Sequence, residues 1–584
     1  MKFYRTILHP LLAILNPVEK RKGVWVIVLM VLSALLDFFS LASFLPLFVL
    51  LVNPGFISTN KYASLFYNFF GFTSPTWFIG TLAIAVLILT VLKNIIALWI
   101  TRSKASYTFT LGSHLSSRML SHYTQISYLR FTQLDFSKEL NRIANLPIAF
   151  ANNVIMPIGT LISEGLVFML LLFCIVLYDI KVFAFLCVIL VPAGLLYRMK
   201  RKSIKETSID LKEKWPLTLK YALQVVEGLS EIRVSGKETF FKSRFISISE
   251  SLAKTFVRDH TTQTGTSRLT EIIAAFIVCS LIVYSLLLNQ NYQQTILLLG
   301  VYAGASFRII PSLNRILNAS LQIRTHEYLF HELEELSNPE EPIDSAIPKP
   351  TVSFNDKIQL EDISFSYPGG PTVLDHVSFT VGKGEKIALV GRSGSGKTTL
   401  LLILLRFLPN HSGKILLDGK EIGIENYGTL RPLFSYVSQS PYMIDGSIAE
   451  NIAFGVPAAN IDLEKIRQLI HDLDLNEIIS QLPDGLATQI GERGIKLSGG
   501  QRQRIAIARA LYADAEILLL DEITNQLDAK TEQEIVKTLE KVAQQKKTIV
   551  MITHHNDLLK HFDQVLKIEN GIISEHNVVQ FSSH

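Results

Sequence analysis

Much of the first 320 positions is taken up by apolar stretches that neither alternate nor keep to one face. Such stretches occupy roughly 24 to 52, 78 to 100, 154 to 178, 180 to 199, 269 to 288 and 293 to 318, each close to the ~20 residues a helix needs to cross a hydrocarbon core. The pattern predicts six spanning helices with both chain ends on one side. Only Tyr178 and Asp179 separate the third run from the fourth, which predicts a tight helical hairpin. Ahead of the first run, Tyr4, Ile7, Leu8, Leu11, Leu12 and Leu15 form a helical stripe, suited either to the membrane surface or to packing against the bundle. Tyr62, Leu65, Phe66, Phe69 and Phe70 recur at helical spacing between the first two runs and predict a short amphipathic helix on the outer surface. The segments at 102–153 and 199–268 are helical in pattern, so the spanning helices are expected to continue beyond the membrane.

From about residue 357 the period shortens. Ile387–Val390, Ile517–Leu520 and Thr548–Ile552 are apolar runs closed by glycine or polar residues, the signature of strands buried on both faces of a parallel sheet. Between the two regimes, Pro339, Pro342, Pro348 and Pro350 mark a connecting stretch. The expected organisation is a membrane α-helical bundle at 1–335, a linker at 336–356 and an α/β P-loop ATPase domain at 357–584.

Composition agrees with this division. Charged residues make up 18% of the chain, against about 25% in soluble proteins. Residues 1–101 carry the cations Lys2, Arg5, Lys20, Arg21, Lys22, Lys61 and Lys93 but only the acids Glu19 and Asp37. The net +5 therefore belongs to loops beside a membrane and not to a nucleic-acid surface. The long cation-rich loops, and both termini with them, are expected in the cytoplasm. The first apolar run outlasts the h-region of a cleaved signal, so it is expected to be retained. Cys174, Cys187 and Cys279 all fall inside apolar runs and imply no disulfide framework.

Three motifs carry chemistry. Gly391-Arg392-Ser393-Gly394-Ser395-Gly396-Lys397-Thr398 follows a predicted strand and opens a helix, the full P-loop pattern in its required setting. Its backbone N–H groups suit the phosphates of ATP, with Thr399 in the same turn. Lys397 suits the β and γ oxygens and the Thr398 hydroxyl suits Mg²⁺. Ile517–Leu520 ends in Asp521 and Glu522, where Asp521 can hold Mg²⁺ and Glu522 can polarise an attacking water. Leu497-Ser498-Gly499-Gly500-Gln501 precedes an apolar-periodic helix and forms a second anion site at a helix start.

P-loop, Leu-Ser-Gly-Gly-Gln and Leu-Leu-Leu-Asp-Glu together resemble the nucleotide-binding domain of the ATP-binding cassette (ABC) transporters, and with six spans ahead of it the chain resembles an ABC exporter half-transporter. The resemblance implies head-to-tail dimerisation of two identical chains, in which Ser498, Gly499, Gly500 and Gln501 of one chain cap ATP held by the other. It implies further that Tyr367 stacks on adenine, that Gln439 touches Mg²⁺ and the attacking water, that His554 contacts the γ-phosphate and that Asp528 closes the loop after the acids. The loops at Phe131–Arg142 and Leu229–Gly236 resemble the coupling helices of that family. Two departures stand out: Asn525-Gln526 where the family has Ser-Ala, and His555 where it has Arg.

Ionisable groups inside spans are costly unless they face a cavity or a partner. Lys93, Arg268 and Arg308 are candidates to bind an anionic headgroup such as a pyrophosphate; the competing reading puts Lys93, Arg268 and Glu271 in cytoplasmic extensions of their helices and pairs Asp37 or Glu164 with a cation. Asn60-Lys61-Tyr62, Phe131-Thr132-Gln133 and Phe307–Arg315 resemble the lipid-linked oligosaccharide flippases of bacterial glycan pathways. This implies an amphipathic, polyprenyl-pyrophosphate-linked glycan moved outward across a bacterial inner membrane, with export of drugs, other lipids or peptides as the alternative.

Overall fold

A computed structural model describes residues 9–52, 55–178, 180–288, 292–334, 353–423, 427–473, 475–524, 529–544 and 547–578. The chain separates into two compact units: Met1–Thr124 with Leu134–Glu340, and Gln125–Gln133 with Glu341–His584.

The first unit is helical. Its long helices are α1 (Pro17–Ala42), α2 (Pro75–Gln125), α3 (Met156–Tyr178), α4 (Ile180–Glu227), α5 (Glu238–Leu288) and α6 (Tyr292–Thr325). Among the described residues three stretches are long and apolar enough to cross a membrane, Pro17–Ser40, Pro75–Gln125 and Leu146–Cys174. The spans expected at 180–199, 269–288 and 293–318 fall within α4, α5 and α6, where many side chains lie outside the described residues. The first expected span is not one helix. α1 stops at Ala42 and a second helix, Phe44–Val52, follows it; Pro46 at its third position cannot supply the N–H of a continuous helix. α3 ends at Tyr178, α4 begins at Ile180 and the two are in contact; Asp179, at the expected hairpin turn, lies outside the described residues. α3 packs on α1 and on α6, and α4 on α5.

The aromatic stripe folds as the helix Lys61–Phe69, started by Asn60, whose side chain accepts from the N–H groups of Tyr62 and Ala63 at 3.0 and 3.2 Å. The stripe ahead of α1 resolves in favour of packing: Leu11, Ile14 and Leu15 are buried against Leu111 and Leu115 of α2. Tyr4, Ile7 and Leu8 lie outside the described residues.

The second unit holds two sheets. Strands β1 (Lys357–Ser366), β2 (Thr372–Gly382), β4 (Ser412–Leu417) and β5 (Lys420–Glu421) pair antiparallel in the order β2-β1-β4-β5. β3 (Lys386–Val390), β6 (Phe434–Val437), β7 (Ile517–Asp521), β8 (Thr548–Ile552), β9 (Gln564–Glu569) and β10 (Ile572–Val578) form the other sheet, in the order β10-β9-β3-β8-β7-β6. From β9 to β6 it is parallel. Every residue of β7 and β8 is buried, which is why both read as unbroken apolar runs. Helices α7 (Lys397–Leu404) and α8 (Gly499–Tyr512) each supply a largely buried face to the cores on the two sides of the sheet. The expected linker at 336–356 lies mostly outside the described residues.

The short helix Tyr128–Phe131 belongs to the second unit, although its neighbours in sequence belong to the first. Tyr128 stacks on Phe407 with ring centres 5.1 Å apart and planes 10° from parallel. The coupling segment expected at Phe131–Arg142 is thus two elements: Tyr128–Phe131 in one unit and a separate helix, Phe136–Ala144, in the other. Asp135 divides them because its carboxylate accepts from Ser137 N–H and caps the second helix.

Candidate functional site

Parallel pairing of β3, β8, β7 and β6 brings four strand ends to one edge of the sheet, where ligands bind in such folds. The P-loop follows β3, Asp521 and Glu522 close β7, His554 follows β8 and Gln439 follows β6. Residues separated by up to 163 positions in the chain thereby become neighbours.

The P-loop needs its glycines. Gly391 has φ of +151° and lies so close to Ile568 O that a Cβ would fall 2.2 Å from it; at Gly396 (φ +102°) a Cβ would meet Leu374 at 2.7 Å and Val373 O at 2.9 Å. Ser393 and Gly394 complete the turn, and the Ser395 hydroxyl is buried with no hydrogen-bond partner among the described residues. A buried hydroxyl left unbonded costs about 1–3 kcal/mol. Lys397, 4% exposed, donates to the carbonyls of Gly391 and Arg392 at 2.9 and 2.8 Å. Burial pulls its ammonium below the ordinary lysine range, against the opposing pull of Glu522 and Asp521.

Asp521 is buried and its carboxyl is shifted upward, first by burial, with Glu522 adding to the shift; donors from Tyr436 and Thr398 oppose it. Thr398 Oγ1 donates to Oδ1 at 3.2 Å and Tyr436 Oη donates to Oδ2 at 2.9 Å. The β6–β7 register accounts for the tyrosine: Tyr436 pairs with Leu519, two residues before Asp521 on the same face, and an aromatic reaches its diagonal neighbour. Burial, then Asp521, pushes the Tyr436 phenol well above its usual value. Sequence reasoning passed over Tyr436, whose signal was an aromatic three positions before Gln439 in a strand.

Glu522 adopts φ of +48°, in the left-handed region that costs a non-glycine residue of order 1 kcal/mol or more. Its carboxylate accepts from Gln439 Nε2 at 3.4 Å and lies 3.1 Å from His554 Nε2. The sequence-expected catalytic trio therefore comes together. Asp528, Asn525 and Gln526 lie outside the described residues. His555 pairs instead with Glu532 at 2.6 Å. Tyr367, next to the end of β1, is 36% exposed, and its hydroxyl lies 3.4 Å from Thr399 Oγ1.

Ser498 begins α8 with a reciprocal cap. Its Oγ accepts from Gln501 N–H at 3.2 Å, and Gln501 Oε1 accepts from Ser498 N–H at 2.8 Å. Accepting one bond leaves the hydroxyl proton free to donate. Ser498 and Gly499 are exposed, so a helix start with unused N–H groups faces outward. One turn on, Gln503 donates to Gln439 O at 2.6 Å, joining this helix to the loop that approaches Glu522. Nothing in the sequence alone pointed to Gln503.

In the first unit, Lys93 and Arg308 meet on Asp37, at 2.9 and 2.8 Å. Glu164, 7% exposed, accepts from Ser312 Oγ at 2.7 Å and from Arg315 at 2.5 Å, with Arg308 at 3.8 Å. The cluster joins α1, α2, α3 and α6. Arg268 stands apart from it, 72% exposed at its side chain and paired with Glu271 one turn along α5.

The ABC transporter family profile matches residues 374–525. An ATP-dependent lipid A-core flippase of Photobacterium profundum is 33% identical over 398 residues, 67% of this chain and 67% of that protein. Flippases of the same name from Ralstonia nicotianae and Vibrio vulnificus are 33% and 32% identical, over 60% and 64% of this chain. These two alignments span 59% and 64% of the relatives' own length. The solved structure of a bacterial Atm1-family ABC exporter with ATP bound superposes with a TM-score of 0.77 at 20% identity, covering 97% of this chain and 96% of that one, which shows the shared fold.

Proposed function

This chain belongs to the ABC transporter family as a half-transporter with one ABC ATPase domain, and from that footing we propose that two identical copies export an amphipathic, anionic glycolipid, best a polyprenyl-pyrophosphate-linked oligosaccharide, from the cytoplasmic to the outer side of the inner membrane. The observation that carries the substrate reading is the polar cluster of Asp37, Lys93, Glu164 and Arg308, set among apolar helices. Cations held there by carboxylates can exchange those partners for the phosphates of a headgroup. Similarity to lipid A-core flippases favours a lipid A-core glycolipid as the second reading.

ATP binds at the P-loop with its adenine on Tyr367. Lys397 leaves the Gly391 and Arg392 carbonyls for the β and γ oxygens, and Ser395 gains the partner it lacks. Thr398, Asp521 and Gln439 would hold Mg²⁺; one carboxylate with a hydroxyl and an amide is a hard-oxygen set suited to that ion. Mg²⁺ would supply charge neutralisation between the β and γ phosphates. Glu522 takes the proton of the attacking water, with Gln439 and His554 fixing its carboxylate. Ser498 and the N–H groups of Gly499 and Gly500 from the second copy close over the γ-phosphate. Two chains make two such composite sites, and closing them sets the membrane helices moving. The apolar window of α2 is only 11% buried, which supports a second copy or lipid against it.

The test is ATP hydrolysis in lipid nanodiscs, titrated separately with a polyprenyl-pyrophosphate oligosaccharide, a lipid A-core glycolipid, and a panel of apolar drugs and peptides. Stimulation by the first alone, lost in Lys93→Ala and Arg308→Ala while basal turnover survives, is the expected outcome. Stimulation by the apolar panel with both cations dispensable would overturn the substrate assignment.

A further inference from the structure

We propose that the groove between the polar ends of α1 and α2 binds the headgroup of an anionic glycerophospholipid resident in the membrane, a site separate from the Asp37–Glu164 cluster and independent of what is transported. On α1 the cations Arg21 and Lys22 stand just before an apolar run; on α2 the apolar run ends at Ile100 and Arg102 follows. The structure sets these two polar–apolar boundaries side by side. Tyr107 Oη donates to the Glu19 carbonyl at 3.2 Å, and Gly23 sits so close that a Cβ would fall 2.8 Å from that hydroxyl.

Between them opens a cavity of about 970 Å³. Its one acid is already engaged. Glu19, 7% exposed, accepts from Asn16 N–H at 2.8 Å and faces His114 at 3.4 Å and Arg118 at 3.9 Å. Arg21, Lys22 and Arg102, all exposed, have no acidic partner among the described residues. The cavity is therefore a positively charged opening with a neutralised floor. Trp25 and Trp99, 62% and 56% exposed, line its apolar side, and neither indole N–H has an acceptor among the described residues.

These three features match one chemistry. Cations meet a phosphodiester, indole N–H groups at the boundary meet the glycerol ester carbonyls, and Val26 and Leu29, which line the cavity beside the indoles, give an apolar wall for acyl chains. Inorganic phosphate would use the cations and leave the indoles and that wall without purpose. The charge complementarity and the amphipathic wall together select a phospholipid.

The experiment uses the full chain in phosphatidylcholine nanodiscs doped with phosphatidylglycerol. Native mass spectrometry counts retained lipid, and quenching of tryptophan fluorescence by brominated phosphatidylglycerol or brominated phosphatidylcholine locates it. The structure predicts preferential retention of phosphatidylglycerol and stronger quenching by its brominated form, a difference that Trp25→Phe with Trp99→Phe removes. Each of Arg21→Gln, Lys22→Gln and Arg102→Gln is expected to weaken retention about fivefold, with basal ATP hydrolysis unchanged. Equal retention of both lipids, or unchanged retention when Arg21→Gln, Lys22→Gln and Arg102→Gln are combined, would overturn the proposal. Displacement of phosphatidylglycerol by the stimulating glycolipid but not by neutral phospholipid would reassign the groove to transported substrate. Quenching of neither tryptophan would also overturn the proposal, because it would mean that no lipid reaches the groove.

Discussion

Replacing Tyr436 by Phe removes one hydroxyl and keeps the ring, so it isolates the bond to Asp521 Oδ2 at 2.9 Å. Thr398 takes the other carboxylate oxygen, and the two donors together fix the plane of a side chain expected to hold Mg²⁺. A hydrogen bond to a charged acceptor is worth about 1.5–3 kcal/mol in mutational series. Asp521 is 5% exposed but Tyr436 is only partly buried, and water can replace part of the lost donor, so the low end applies. A loss of ~1.5 kcal/mol corresponds to about tenfold in an equilibrium constant. Tyr436→Phe should therefore raise the Mg²⁺ concentration for half-maximal ATP hydrolysis about tenfold and leave turnover at saturating Mg²⁺ within a factor of about two or three. The assay is steady-state hydrolysis at fixed ATP across a Mg²⁺ titration, with direct Mg²⁺–nucleotide binding alongside. An unchanged or lower Mg²⁺ requirement would refute the reasoning, because it would mean that the tyrosine competes with the ion instead of aiming its ligand.

Further outcomes follow from the same geometry. Glu522→Gln keeps ATP binding and lowers hydrolysis by about 10²–10⁴-fold; unchanged turnover would remove Glu522 as the base. Glu164→Gln takes the carboxylate from Arg315, while Arg308 keeps Asp37 at 2.8 Å, and should destabilise the first unit by roughly 1–2 kcal/mol, below the 3–5 of a fully buried pair because Arg315 is 53% exposed; thermal unfolding in nanodiscs reads it. In the second unit, burial would raise the Asp418 carboxyl, but the N–H groups of Asn355, Asp356 and Lys357, at 2.7, 2.8 and 2.9 Å, outweigh it and hold the carboxyl below 3.8. A depressed acid stabilises the fold above its unfolded value and loses that contribution as pH falls through the folded one. Asp418→Ala should thus cost about 1 kcal/mol at neutral pH, discounted for exposure, and progressively less as pH falls below 3.8.

The chain's local sequence determined the elements whose physics is local. A run of apolar residues near the membrane thickness has no other stable home, and the P-loop glycines mark a backbone that no side chain tolerates, as Gly391 against Ile568 O shows. β3, β7 and β8 were legible because a strand buried on both faces must be apolar throughout. The meeting of Gln439, Glu522 and His554 was reached through resemblance to a family; composition and spacing held no trace of it. It exists because β6, β7 and β8 lie side by side in parallel, an outcome of long-range pairing. The same register aims Tyr436 at Asp521, and helix docking aims Gln503 at Gln439. The membrane cations show the limit most clearly. Lys93, Arg268 and Arg308 are equivalent as letters in apolar runs, yet α1 brings Asp37 to Lys93 of α2 and Arg308 of α6, while Arg268 is left on its own helix with Glu271. Whether a charge is paired depends on which helices pack together, and that is decided by side-chain fit across distances in sequence that no local pattern encodes.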